Sequence, residues 1–319
     1  MRLKKNLPIL LFLFLIAAAA MALIKGAVNI PFGQLLFKEN QTILNLRLLR
    51  IVAAVLAGSG LAVSGIALQA ILRNPLAEPY LLGTSSGAGL AAVIAVILGV
   101  SRVYMPMAAF LGAAASIIIV YSLGRQGGKV ADKSLILSGV IISVAFSSVI
   151  VFLITLFGNE TMHEMNWWLW GSLQVYDYKL LMLVAIPVVL GIGAIYIFSQ
   201  DLNAITMGEE EAIHLGIDAQ NIKKIILLIT ALITASLICI CGIIGFVGLI
   251  VPHIMRLLVG PNHKTLIPAT CLAASVFMIA CDTLARTLFT PLEIPIGVIT
   301  AIIGAPVFII LLKRGKRIR

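Results

Sequence analysis

The chain has 319 residues, 61% hydrophobic and 11% charged, against roughly 45–50% apolar and about 25% charged in ordinary soluble domains. A span needs about 20 apolar residues, so this length holds about ten spans with short connections and excludes a fused ATPase, kinase or nuclease domain. The net charge of +10 would suggest nucleic acid in a soluble protein, but the cations are scattered through short links and tails, not gathered on one aromatic-rich face, which excludes that partner.

Charge-poor windows predict helices over 7–24, 51–70, 81–100, 103–123, 134–157, 180–198, 225–242, 243–259, 266–285 and 294–312. The expected fold is an all-α integral membrane protein with about ten transmembrane helices in one domain over 1–319. The first window follows Arg2, Lys4 and Lys5 and contains Ala17 to Ala20, a pattern that also suits a cleaved signal peptide. A retained helix is preferred, because its apolar run is long and an even number of spans brings the Lys/Arg-rich ends together. With the N-terminus inside, sixteen of the 23 Lys+Arg fall on the inner side. The seven outside are Lys25, Lys38, Arg47, Arg50, Arg102, Lys179 and Arg286. The positive-inside rule therefore places both termini in the cytoplasm.

Along the second window, Ala54, Gly58 and Ala62, and likewise Gly60 and Ser64, recur at the spacing that lets helix backbones approach closely. Plain packing explains them; the alternative is a helix lining a wide pathway. For that alternative the candidates are Gly60, Ser64 and Gln69, with Ser138 and Ser143 in the fifth window. Two outer connections are long, 26–46 and 158–179, and the second carries Trp167, Trp168 and Trp170, a placement typical of an interfacial belt. The longest inner connection, 199–221, holds Glu209, Glu210 and Glu211 followed by Ala212, Ile213, Leu215 and Gly216. A short helix there has its acids in the first turn, where the macrodipole favours them, and a glycine to end it, so it reads as a docking element.

Few groups could do chemistry. Gly127-Gly128-Lys129-Val130 lacks both the upstream glycine and the hydroxyl residue of a phosphate loop, and His163-Glu164 is followed by Met165 and Asn166, which breaks the zinc-protease pattern. The chain is therefore expected to have no catalytic residues and no ATPase activity alone. Cys239, Cys241, Cys271 and Cys281 lie in apolar runs without paired C-x-x-C spacing and read as packing residues, so no metal site is expected. Asp282 is the clearest intramembrane charge, and Arg286 four residues on can satisfy it on the same helix face. His253 and Arg256 read as interfacial, with a gate or docking role as the alternative. An ion-coupled secondary transporter, the second reading, normally needs several intramembrane carboxylates at an internal site. An intramembrane enzyme would need a paired nucleophile and base.

Several long motifs stand in a fixed order: Arg47-Leu48-Leu49-Arg50, then residues 57–89 (AGSGLAVSGIALQAILRNPLAEPYLLGTSSGAG), Trp170-Gly171-Ser172, residues 245–264 (GFVGLIVPHIMRLLVGPNHK), Asp282-Thr283-Leu284-Ala285-Arg286 and residues 291–312 (PLEIPIGVITAIIGAPVFIILL). Through them the chain resembles the FecCD family, the permease subunits of type II ATP-binding-cassette (ABC) importers for iron-siderophore, haem and cobalamin. The resemblance covers nearly everything after the first helix. It implies a homodimer of ten-helix subunits in a bacterial or archaeal cytoplasmic membrane, enclosing a central pathway. Two ABC ATPase subunits would use ATP and magnesium, no cofactor being bound by this chain, and an extracytoplasmic binding protein would deliver the substrate. It further implies that Arg47, Arg50 and Arg286 meet acidic residues of that binding protein. Residues 210–216 are similar to the E-A-A-x-x-x-G pattern of importer coupling loops, with Glu211 in place of the middle alanine and no downstream proline.

Overall fold

The computed structural model describes residues 2–26, 28, 31–34, 37–126, 129–157 and 169–315. Among them the helices are α1 (Arg2–Ile24), α2 (Gln41–Ile71), α3 (Thr84–Ile97), α4 (Met105–Gly124), α5 (Asp132–Phe157) and α6 (Tyr178–Ile197). There follow α7 (Ser199–Met207), α8 (Glu209–His214), α9 (Ala219–Cys241), α10 (Val247–Val259), α11 (His263–Thr287) and α12 (Ile296–Gly315). The described residues thus form an all-α membrane fold with one two-residue antiparallel ladder, Arg125–Gln126 against Lys129–Val130. Gly127, Gly128, His163, Glu164, Trp167 and Trp168 lie outside the described residues.

Each of the ten predicted windows contains a helix, yet among the described residues only seven are long and apolar enough to cross a bilayer. The others are α3, α10 and the Ile296–Ile310 part of α12. With 14 and 13 residues, α3 and α10 extend about 20 Å at 1.5 Å per residue, short of about 30 Å of hydrocarbon. The predicted 81–100 helix is cut by a 3-10 turn at Pro79–Leu82 and by Gly83, whose φ of 75° is left-handed. It ends early because Gly99, at φ 69°, closes it, with Gly99 N–H donating to Val96 O and Val100 N–H to Ala95 O, a Schellman ending. The predicted 243–259 helix loses its first turn in the same way, Gly242 and Phe246 standing at φ 66° and 70°. The second helix starts ten residues earlier than expected, at Gln41.

α2 is the central post. Every residue from Leu56 to Ile71 is buried, and α6, α9, α10 and α11 pack around it. Hydrocarbon gives no hydrophobic drive between helices, so close backbone approach through small residues does that work. A Cβ on Gly65 would lie 1.9 Å from Gly248 O of α10, and one on Gly58 2.5 Å from Ala274 O of α11. Gly87 of α3 and Gly112 of α4 make the same kind of mutual contact. The Trp170-Gly171-Ser172 motif bridges two helix ends: Ser172 N–H donates to Cys241 O, and the N–H groups of Ile296 and Gly297 donate to Gly171 O and Trp170 O.

Candidate functional sites at the two ends of the bundle

The 199–221 connection is folded. α7 and α8 fill most of it, and α8 ends in a full Schellman motif, Gly216 N–H donating to Ile213 O and Ile217 N–H to Ala212 O. Gly216 holds φ 77°, the conformation such an ending needs at that place and that glycine adopts without a Cβ penalty. Ala212 is fully buried and fixes the inner face of α8, while Ile213 and Leu215 are 64% and 65% exposed. Met207 is exposed beside them, and Glu210 and Glu211 point outward. Glu209 differs from its neighbours: it pairs with Lys223 of α9, and that bond holds its carboxyl below the ordinary value. The seven residues expected to dock thus divide into an exposed apolar and acidic face and a fixed base.

At the opposite end lies the arginine cluster, in an arrangement the sequence did not foretell. Asp282 does pair with Arg286, Nε to Oδ2 at 2.9 Å, but its other oxygen takes Arg50 Nη2 at 2.9 Å. Arg50 Nη1 reaches Glu293 Oε2 at 3.0 Å, and Gln174 Nε2 donates to the same oxygen at 2.5 Å. Burial alone would raise the Glu293 carboxyl; the Arg50 charge and these bonds prevail and hold it below its ordinary value.

Arg47 and Arg286 turn inward, to the C-terminus of α1. Arg47 donates to Leu23 O, Ile24 O and Val28 O, and Arg286 to Ala22 O and Lys25 O. A helix leaves its last four carbonyls without intrahelical partners. Here Lys25 N–H serves Met21 O and the two guanidiniums serve the other three. All three arginines expected to meet the binding protein are thus engaged within the chain, Arg47 and Arg286 at the end of α1 and Arg50 by Asp282 and Glu293. Of the three, Arg47 and Arg286 are 5% and 4% exposed, and the Arg50 side chain is 13% exposed.

The five residues expected at a pathway wall stand on α2 and α5. Gly60 abuts Leu237, Ile233 and Val188, Ser64 is fully buried, and Gln69 donates to Ala77 O and Gly248 O while accepting from Arg256. All three are buried within the single chain. Ser138 is buried and Ser143 half-buried, and neither belongs to the open side of α5, which is instead formed by Val140, Val144, Ser147 and Val151.

The described residues form a bundle of long and half-length apolar helices with one structured connection that presents exposed apolar side chains. Comparison with known proteins gives the class, a membrane permease: residues 7–314 match the model of the FecCD transport family, and the chain belongs to that family. It is 40% identical over 273 residues to the cobalamin import system permease protein BtuC of Halobacterium salinarum, covering 84% of this chain and 72% of the relative. It is 35% identical over 284 residues to the hemin transport system permease protein HmuU of Yersinia pestis, covering 86% and 84%. Among solved structures, a metal-chelate type ABC transporter in an inward-facing conformation superposes with a TM-score of 0.88 at 32% identity, covering 97% of this chain and 99% of that one.

Proposed function

We propose that this chain is the permease subunit of an ATP-driven importer for a large metal chelate, a ferric siderophore, haem or cobalamin. Two copies form the pathway, two ABC ATPase subunits supply ATP and magnesium chemistry, and an extracytoplasmic binding protein delivers the chelate. The observation that carries this reading is α8: a six-residue helix with a buried base at Ala212 and exposed Ile213 and Leu215 beside it, a ready socket plug for a cytoplasmic subunit. Exposed apolar groups rimmed by acids mark a protein interface. The relatives named for cobalamin and hemin transport support the substrate class. The open side of α5 is the surface offered to the second copy and to the pathway. Arg50, beside Glu293, is the cation offered to the binding protein. The α8 end lies in the cytoplasm with both termini.

The test is reconstitution in lipid vesicles with the cognate ATPase and binding protein. Uptake of cobalamin, haemin and a ferric siderophore is followed in parallel with phosphate release. ATP-dependent uptake of one of them is the expected result. Uptake driven by a proton or sodium gradient without ATP overturns it.

A further inference from the structure

The α8 end contains a chain of charges that docking does not require. Lys223 lies one turn into α9, and its side chain is 1% exposed. Its Nζ is 2.6 Å from Asp132 Oδ1 and also bonds Glu209 Oε1. Asp132 is the first residue of α5, and Glu209 the first of α8. Arg73, just beyond the end of α2, reaches the other oxygen of Asp132 at 3.4 Å. One buried ammonium is therefore shared between the starts of two helices that are otherwise distant in sequence, while a third element closes the chain.

A buried charge tolerates separation from its partners far less than an exposed one, because nothing replaces the lost attraction. Gly208 and Gly216 flank α8, and Gly216 has open space around it. The Schellman ending and buried Ala212 hold α8 to its own connection, and the Lys223 contacts are what join it to α5 and α9. A force on α8 moves α9 and the start of α5 with it, or it must pull Glu209 off an ammonium that has no water to turn to.

We infer that Lys223 is a positioning residue that ties the docking helix α8 to α5 through Glu209 and Asp132, so that a displacement of α8 reaches the open side of α5. This rests on the permease reading. On that reading α5 faces the pathway, and the tie is how nucleotide-driven motion gets there. Arg73 holds the far oxygen of Asp132, so the carboxylate is clamped from both sides and passes on movement rather than rotating away.

The experiment uses the complete complex in vesicles, with Cys239, Cys241, Cys271 and Cys281 replaced by alanine and Ser147→Cys on the open side of α5 as reporter. Labelling by a membrane-impermeant maleimide is timed without nucleotide and after trapping with ATP, magnesium and vanadate. In the parent the two rates differ. Lys223→Met and Glu209→Gln are expected to trap nucleotide yet lose that difference, and Lys223→Arg to keep it. A purely stabilising role would instead lower the melting temperature and leave the difference in the molecules that survive. Should Lys223→Met fail to assemble, Glu209→Gln, a milder change at a partly exposed carboxylate, decides the matter. A parent-sized difference in Glu209→Gln, or in an assembled Lys223→Met, overturns the tie. A parent complex that neither traps nucleotide nor changes its labelling overturns the permease reading, and the tie with it.

Discussion

Arg50 and Asp282 stand 232 positions apart in the chain and 2.9 Å apart in the fold. Because Asp282 also holds Arg286, one carboxylate joins α2 to α11, and Glu293 extends the join to the segment before α12. Breaking a buried pair by removing one partner's charge costs about 3–5 kcal/mol, since the other charge stays behind uncompensated. Asp282→Asn leaves two guanidiniums facing each other with Glu293 alone to balance them. The variant should lose stability of that order, read as a lower midpoint of thermal unfolding in detergent. An unchanged midpoint would show the network to be ornamental.

Much of this was legible in the chain and some was not, for physical reasons. Hydropathy located ten apolar helices, because each needs a long run without charge. It could not see that α3 and α10 are half-length, since Gly83, Gly242 and Phe246 break the backbone inside stretches that stay apolar. The Asp282–Arg286 pair was visible as an i, i+4 spacing, whereas Arg50, Glu293 and the α1 carbonyls join it only through tertiary folding. Small residues such as Gly60 and Ser64 mark close packing and pore walls with the same letters, and in the single chain both are buried. The short helix α8 was legible because it announces itself through acids first and glycine last.

The same network sets an acid limit. The Glu293 carboxyl has a lower value in the folded chain than its ordinary one, so its ionised form stabilises the fold above the unfolded value, and that contribution is lost as pH falls through the folded value. Acidification below about pH 4.3, the ordinary glutamate range, should therefore release Arg50 and Gln174. Melting temperature followed from neutral pH downward should fall less steeply in Glu293→Gln than in the parent. Identical slopes would remove Glu293 from the account.

Two buried guanidiniums cap α1, whose own surface otherwise faces outward along most of its length. Leaving a buried polar group unsatisfied costs about 1–3 kcal/mol, and Arg47→Met strips Leu23 O, Ile24 O and Val28 O of the donors described above. Faster amide exchange confined to the last turn of α1, at Leu23 to Gly26, is the expected signature. Exchange that stays slow there would show that the cap is dispensable.

At the α2–α10 crossing, no side chain fits. A Cβ at position 65 would sit 1.9 Å from Gly248 O, and the obstacle is backbone, which cannot swing aside. Overpacking a filled interior costs typically about 1–3 kcal/mol. Gly65→Ala should fall at the upper end, lowering yield and melting temperature, while Gly193→Ala, where nothing lies within 4 Å, should leave both close to the parent. Equal behaviour of the two would contradict the contact.

The docking face proposed for α8 can be separated from its fold by choosing residues according to exposure. Ile213 and Leu215 are about two-thirds exposed, so replacing each with glutamate should leave folding within about 0.5 kcal/mol, as for surface changes generally. On an interface, loss of a central apolar anchor costs about 2 kcal/mol or more, which is roughly 30-fold in affinity. The double variant Ile213→Glu, Leu215→Glu should therefore melt like the parent but fail to retain the ATPase subunit on size-exclusion chromatography. Gly216→Ala acts through the backbone instead. Its left-handed φ of 77° costs a non-glycine residue roughly 1–2 kcal/mol, enough to loosen the end of α8 without emptying the surface of its apolar groups. It should weaken retention less than the double variant and lower ATP-coupled uptake. If the double variant binds the ATPase as tightly as the parent, α8 is not the docking element, and the face that receives the ATPase lies elsewhere on the same end of the bundle.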